Sequence, residues 1–127
     1  MSPSPSKEPF IEVCGLHKKL GWQQVLRGVD LTVYRGETLL LIGPSGEGKT
    51  VLMKHIIGLL HPDEGTITVD GVNMTGMKER ELAPIRKRVS MLFQQGALFD
   101  SMSVAGNVAF PLIESGVKDR EEIRKRV

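Results

Sequence analysis

The sequence has 127 residues, a formal net charge of +2 and 25% charged residues. This length suits one compact domain with its own core, and the near-neutral charge gives no indication of a nucleic-acid or membrane-surface partner. Cys14 is the only cysteine, which excludes an internal disulfide and a cysteine-rich zinc site and fits a reducing, cytosolic setting.

The first nine residues are predicted to be a disordered lead. Residues 1–9 are rich in proline and serine and lack the hydrophobic core of a signal peptide. No apolar run in the sequence approaches the roughly 20 residues that a membrane-spanning helix needs. The folded domain is therefore expected over residues 10–127.

Strands are predicted from two hydrophobic patterns. Alternating apolar and polar residues predict strands at residues 11–16 and 29–34, paired through the connection at 18–24. Residues 38–42 and 89–93 are predominantly apolar instead. That pattern is typical of strands covered on both faces of a parallel sheet, so both segments are expected to be buried.

A hairpin and several helices are predicted between and after these strands. Residues 66–70 alternate as a strand, and Asp70-Gly71 is a strong turn signal. Residues 49–60 carry a wide apolar stripe at helical spacing, ended near Pro62. Shorter helices are expected at residues 78–82 before Pro84, after an N-cap at Ser103 with a limit at Pro111, and from residue 120. The order of elements predicts an α/β domain with an added β-layer.

Residues 43–50, Gly-Pro-Ser-Gly-Glu-Gly-Lys-Thr, fit the phosphate-loop pattern and lie between a predicted strand and a predicted helix. Glycines let consecutive N–H groups turn towards phosphate oxygens, and the helix adds the positive end of its dipole. Lys49 is expected to reach the β- and γ-phosphates, and the Thr50 hydroxyl to ligate Mg2+. A glycine-rich turn that binds nothing is the alternative, which the strand and helix context disfavours. The predicted nucleotide-binding residues are Gly43, Pro44, Ser45, Gly46, Glu47, Gly48, Lys49 and Thr50.

Together with residues 25–33, 61–71 and 86–94, this loop resembles the ATP-binding subunits of ABC transporters. The resemblance implies a P-loop NTPase nucleotide-binding domain of ABC type with an antiparallel β-subdomain. It implies ATP and Mg2+ as cofactors, a transmembrane permease as partner, and a second ATP-binding subunit that completes a homodimer. It also implies a peripheral location on the cytoplasmic face of the inner membrane, through the permease, and no nucleic-acid partner.

The same resemblance identifies Gln94 as the glutamine of the Q-loop, at the end of a predicted strand. Its amide is expected to ligate Mg2+ or to orient the attacking water, and Lys49 and Gln94 are the expected catalytic residues. Gln95 is a rival for this position, and an ordinary polar loop residue is the alternative. In ABC proteins this loop also faces the membrane subunit, which links nucleotide state to transport.

A narrower resemblance is carried by residues 91–104 and 107–112, which look like the ATPase of MCE-type (Mla-like) lipid transporters. It implies transport of phospholipids or related hydrophobic molecules with an MCE-type permease. The alternative is that Leu98, Phe99 and Met102 pack a core or subunit groove shared by many ABC subfamilies.

Adenine recognition is left open by the sequence. The family often stacks adenine on an aromatic residue just before the position of Gly21, where this chain has Leu20. Trp22 is the candidate for the stacking ring, and a tryptophan that packs a surface loop is the alternative.

Three motifs that ABC-type hydrolysis needs do not occur in this sequence: a Walker B strand, a signature motif and a switch histidine. Asp70 precedes a glycine and is interpreted as a turn residue, and His17, His55 and His61 as surface or helix-end residues. The chain is therefore expected to be the N-terminal part of a longer ATPase, truncated before these motifs and inactive alone.

Other classes remain as alternatives. They are a soluble ABC-type ATPase not involved in transport and a truncated, non-catalytic nucleotide-binding protein. A small GTPase is disfavoured because the guanine-reading Asn-Lys-x-Asp motif does not occur.

Overall fold

The computed structural model describes residues 7–44, 46–93 and 96–127. Two compact units divide the chain, Met1–Met91 and Leu92–Val127. Within the described ranges no helix combines the length and apolar character that crossing a membrane requires. The first unit contains β1 (Pro9–Leu20), β2 (Gln23–Tyr34), α1 (Glu47–Ile56), β3 (Glu64–Val69), β4 (Val72–Asn73) and α2 (Glu79–Arg86), and the second contains α3 (Val104–Glu114) and α4 (Arg120–Arg126).

The strands of the first unit form one antiparallel sheet with the order β2-β1-β3-β4. The predicted pairing of the first two strands is confirmed, but both are longer than predicted and only Gly21 and Trp22 connect them. β1 begins at Pro9, the last residue of the segment predicted as a lead. Because β1 pairs with β2 on one side and β3 on the other, it is an interior strand of the sheet.

The backbones of β1 and β3 approach each other closely at Gly65. Gly65 has a φ of +95°, and a Cβ atom built on it would lie 2.4 Å from the Gly15 carbonyl oxygen and 2.6 Å from that of Cys14. Gly15 itself sits at a bulge, with a φ of +56° and a shift of register between Val13 and Leu16. Only glycine fits position 65, because a side chain would overlap the backbone of β1.

The β3–β4 hairpin confirms the turn predicted at Asp70-Gly71. Both residues have positive φ, +49° and +78°, as a type I′ turn requires. The Asp70 carboxylate accepts a hydrogen bond from Arg35, which directly follows β2, and forms an ion pair with Arg88, after α2. Asp70 is thus a turn residue, as interpreted from the sequence, and it also anchors two other segments.

The core of the first unit is formed by one face of the sheet together with the apolar faces of α1 and α2. Leu16 and Leu82 are the largest fully buried aliphatic side chains, at 0% and 1% exposure. The buried cluster comprises Val13, Leu16, Leu26, Val51, Leu52, Ile56, Ile67, Val69, Met74 and Leu82. This packing fixes α1 against the sheet and so positions the residues at its N-terminus.

The prediction of two buried parallel strands, at residues 38–42 and 89–93, is wrong. Neither segment is a strand, and Leu40, Ile42 and Leu92 are 76%, 85% and 88% exposed. A strand needs a neighbour to satisfy its backbone N–H and C=O groups. All described strands belong to the one antiparallel sheet, and neither segment joins it.

Several helix boundaries differ from the predictions. α1 spans Glu47–Ile56, so it starts earlier and ends well before Pro62. The end is made by Gly58, whose φ of +74° belongs to the left-handed conformation that terminates helices. α2 and α3 continue through Pro84 and Pro111, although each proline removes one intrahelical hydrogen bond.

The second unit is organised around the start of α3. The predicted N-cap is confirmed, since Ser103 Oγ accepts a hydrogen bond from the Gly106 amide at 3.0 Å. The Asn107 side chain accepts from the Phe99 amide at 2.8 Å and donates to the Phe99 and Ser103 carbonyls at 3.0 Å each. The Phe99 and Phe110 rings pack at 4.8 Å between centroids. These contacts fold residues 99–103 onto the first turns of α3.

Candidate functional site

The predicted phosphate loop lies at the N-terminus of α1. Gly46 is the N-cap residue in an extended conformation, and Glu47 begins the helix. Ser45 and the Glu47 side chain lie outside the described residues. The first four N–H groups of a helix have no intrahelical partner, and the helix dipole is positive at that end. This end of α1 therefore offers donors and positive potential to an anion.

Lys49 places an ammonium group inside the loop. Its Nζ donates to the Gly43 carbonyl at 2.6 Å and to the Pro44 carbonyl at 3.0 Å. An ammonium group has three donors, so one N–H remains for an anionic ligand. A Cβ atom built on Gly43 would lie 3.9 Å from Lys49 Nζ, which is an ordinary van der Waals distance. The loop residues present fit a phosphate group.

Packing against β2 determines how close α1 comes to the sheet. A Cβ atom built on Gly48 would lie 3.9 Å from the Val25 carbonyl oxygen, so the first turn of the helix approaches the backbone of β2. Thr50, also in this turn, is exposed. Its hydroxyl is therefore accessible to a ligand bound at the helix N-terminus.

Trp22 lies in the β1–β2 turn, three positions before Val25 in the chain. Its side chain is 104% exposed. The alternative in which this tryptophan packs a surface loop is therefore wrong, and the whole ring is accessible. Gln94 and Gln95 lie outside the described residues, so the structure brings together Lys49, Gly43 and Pro44 and does not describe the predicted Q-loop glutamine.

The opposite end of α1 is held by Arg86, a residue for which the sequence predicted no role of its own. Arg86 donates from Nε to the Ile57 carbonyl at 3.1 Å and from Nη2 to the Gly58 carbonyl at 2.6 Å. It also forms a two-point ion pair with Glu79. This hydrogen bond raises the pKa of Arg86 and lowers the pKa of Glu79 below its ordinary value of 4.5. The one sequence signal was the seven-residue spacing, which puts both side chains on one face of α2.

His55, in the last turn of α1, corrects another interpretation of the sequence. It is 1% exposed, whereas its position in the sequence predicted a surface or helix-end residue. Its Nδ1 donates to the Val51 carbonyl at 2.7 Å, one helical turn earlier. Nε2 is buried and has no partner among the described residues. His55 is therefore part of the packed interior and lies at the end of α1 opposite Lys49.

Comparison with known proteins supplies the family. A model described as "ABC transporter" matches residues 26–127. The protein mkl of Mycobacterium tuberculosis, whose name describes a ribonucleotide transport ATP-binding protein, is 45% identical over 96% of this chain and 35% of its own length. The methionine import ATP-binding protein MetN of Rhizobium johnstonii is 36% identical over 98% of this chain and 34% of its own. The chain thus spans about a third of the length of these relatives.

Solved structures agree in fold. The dimeric structure of the bacterial ABC transporter cassette MJ0796 superposes with a TM-score of 0.79 and 33% identity, covering 91% of this chain and 53% of that one. The same cassette in a post-hydrolysis state, bound to ADP and Pi, gives a TM-score of 0.79 at 32% identity. The predicted fold class is confirmed as that of an ABC ATPase cassette with an antiparallel sheet. Because the family model covers most of its length, the chain belongs to the ABC transporter ATP-binding family.

Proposed function

We propose that this chain binds ATP through residues 43–50, with Mg2+ held by Thr50 and Gln94. The observation that supports this most directly is the Lys49 ammonium, held by the Gly43 and Pro44 carbonyls at the N-terminus of α1. A fixed positive charge beside unpaired helix N–H groups suits the β- and γ-phosphates of a nucleotide. The cassette MJ0796, bound to ADP and Pi, supports the same ligand class.

The complete protein is proposed to hydrolyse ATP as the motor subunit of a transporter. Lys49 would stabilise charge on the transferred phosphoryl group, and Gln94 would orient the attacking water or ligate Mg2+. Residues 10–127 are proposed to be the N-terminal part of the ATP-binding domain, and the lead is proposed for the residues before β1, which begins at Pro9. A homodimer with a second ATP-binding subunit is supported by the dimeric cassette. A permease would hold the protein on the cytoplasmic face of the membrane.

The first test is a calorimetric titration of the chain with MgATP. Lys49→Ala removes the loop ammonium and is expected to weaken binding by at least about 30-fold, because a charge-assisted contact to phosphate is lost. Lys54→Ala, which removes a lysine from the last turn of the same helix, is the matched control and is expected to change binding by less than about two-fold. Equal affinities of the parent chain and the Lys49 variant would contradict the proposed phosphate site.

The same titration tests Trp22 as the adenine-stacking residue. Trp22→Phe is expected to retain affinity, because it keeps an aromatic face, and Trp22→Ala to weaken it by about 10-fold. Inorganic triphosphate has no base, so its binding should be the same in all three proteins. A loss that is equal for ATP and triphosphate would exclude stacking.

For the transported substrate we propose a phospholipid or related hydrophobic molecule, moved with an MCE-type permease. The support is the resemblance carried by residues 91–104 and 107–112. A polar substrate is the second candidate, because the relatives mkl and MetN are named for ribonucleotide transport and methionine import. These two candidates differ in solubility class and therefore in the assay that detects them.

Stimulation of ATPase activity separates the two candidates. The complete protein, purified with its co-isolated membrane subunits, is assayed with phospholipid vesicles, with ribonucleotides and with methionine. Stimulation by vesicles alone is expected. Stimulation by ribonucleotides or methionine would favour the polar substrate, and no co-isolated membrane subunit would favour an ATPase outside transport.

A further inference from the structure

Arg86 joins the C-terminal end of α1 to α2 and to the chain that follows α2. Its guanidinium group donates to two carbonyls just beyond the end of α1, Ile57 and Gly58, and to both carboxylate oxygens of Glu79. The side chain is 25% exposed. The planar fork of arginine can serve acceptors in two directions at once, which lysine, a point charge, cannot reproduce.

Helix electrostatics favour this arrangement at both of the termini involved. The C-terminal end of α1 carries negative partial charge, which the guanidinium group compensates. Glu79 is in the first turn of α2, where the helix dipole favours a carboxylate. Arg86 therefore stabilises the end of α1 through its hydrogen bonds to the Ile57 and Gly58 carbonyls, and the beginning of α2 through its ion pair with Glu79. Movement of either helix along its axis would stretch the hydrogen bonds between them.

The residues after Arg86 are anchored a second time. Arg88 pairs with Asp70 in the β3–β4 turn, and Asp70 also pairs with Arg35 at the end of β2. Residues 86–88 are thus held by α1 on one side and by the sheet on the other. The chain continues from there towards Gln94, so the geometry of residues 87–91 depends on where the end of α1 lies.

We propose that Arg86 is a positioning residue that links phosphate binding at the N-terminus of α1 to the conformation of residues 87–91. This inference rests on the proposed ATP binding. α1 has ten residues, or about 15 Å of rigid rise. A ligand that pulls on the first turn therefore displaces the far carbonyls by a similar amount. Arg86 is the described side chain that receives this displacement and passes it to the chain leading to Gln94.

Hydrogen exchange of the full chain, with and without saturating MgATP, tests the link. In the parent chain, ATP is expected to slow exchange of amides at residues 46–52 and also at 87–91. In Arg86→Met, which keeps an unbranched apolar stem but removes every side-chain donor, protection at 46–52 should remain. The ATP-dependent slowing at 87–91 should fall by at least about five-fold.

Two further variants keep the test interpretable. Arg80→Met is the matched control, because Arg80 is exposed on the same helix and makes no ion pair within residues 7–44, 46–93 and 96–127. Glu79→Gln retains the Arg86 contacts to α1 and weakens the ion pair, so it should give an intermediate loss. If the Arg86→Met variant does not fold, Glu79→Gln alone tests the inference.

The outcomes distinguish this inference from the proposed function. A merely structural Arg86 would raise exchange with and without ATP alike, leaving the ATP-dependent difference at 87–91 intact, and that result overturns the inference alone. Protection restricted to residues 46–52 in the parent chain also overturns it alone. No ATP-dependent protection anywhere in the parent chain overturns the proposed ATP binding and this inference together.

Discussion

The interior strand β1 and the segment at residues 38–42 both contain several aliphatic residues, yet these residues differ in burial. In β1, Val13 and Leu16 are 1% and 0% exposed, whereas Leu40 and Ile42 are 76% and 85% exposed. The difference is in backbone pairing. β1 has a hydrogen-bonded neighbour on each side, and residues 38–42 have none in the part of the chain described.

This comparison shows that apolar composition alone does not place a segment in a sheet. Alternation along β1 and β2 specifies a buried face and a register for a neighbour that is close in sequence. A uniformly apolar run specifies neither, so its position depends on strands that lie far away in sequence. In the paired strand β1, Val13 and Leu16 are fully buried, whereas at residues 38–42 Leu41 is half-buried against the core and Leu40 and Ile42 are exposed.

The largest expected effect comes from breaking the pairing of β1 with β3. Gly65→Ala puts a methyl group where 2.4 Å separates it from the Gly15 carbonyl oxygen. We expect a loss of about 4 kcal/mol or more in the free energy of unfolding, measured by circular dichroism in urea, because the two backbones must separate. Gly71→Ala is the control, since Gly71 also has positive φ but open space around it. It should cost only about 1 kcal/mol.

An intermediate effect is expected from truncating the same residue type in the two regions. Leu16→Ala leaves a cavity in the core and should lower the free energy of unfolding by about 3 kcal/mol. Leu40→Ala removes atoms that are already in water and should change it by less than about 0.5 kcal/mol. Equal losses in urea titrations of the two variants would show that residues 38–42 are buried in solution, contrary to the structure described.

The smallest expected effect sharpens the comparison at the polar edge of the sheet. Asp63 accepts from the Lys19 amide at 2.7 Å and from Lys18 Nζ at 3.2 Å, which lowers the pKa of Asp63 below its ordinary value of 3.8. A carboxyl with a lowered pKa in the folded state contributes stability above the unfolded pKa and loses it as pH falls through the folded pKa. The stability difference between parent and Asp63→Asn should therefore shrink below about pH 4 in urea titrations. A stability difference between the parent chain and Asp63→Asn that stays constant down to about pH 2.5 would contradict the lowered pKa of Asp63.

Local chemistry explains which parts of the fold could be predicted from the sequence. The Asp70-Gly71 turn and the Ser103 cap depend on residues next to each other in the chain, and both are confirmed. The end of α1 depends instead on Gly58 and on Arg86, which comes from a helix later in the chain. Pro62, which predicted the end of the helix from the sequence, gives no indication of the Arg86 contact.

For the candidate site, the sequence likewise predicted the location but not the contacts. The phosphate-loop spacing located Lys49 at the N-terminus of a helix, because the motif encodes its own strand, loop and helix context. Its contacts with the Gly43 and Pro44 carbonyls needed coordinates. The roles of Ser45, Glu47 and Gln94 stay predictions, as do those of Thr50 and Trp22 in binding. Burial of His55 could not be predicted, because it depends on how α1 turns towards the sheet.

The exposed Trp22 has a practical consequence for spectroscopy of this protein. It is the only tryptophan in the sequence and is fully solvated in the folded chain. Its indole emission should therefore be that of a hydrated ring before and after denaturation, so the loss of the hydrophobic core should leave that signal nearly unchanged. Because no other tryptophan contributes, the emission of Trp22 should also report binding of any molecule that covers the β1–β2 turn.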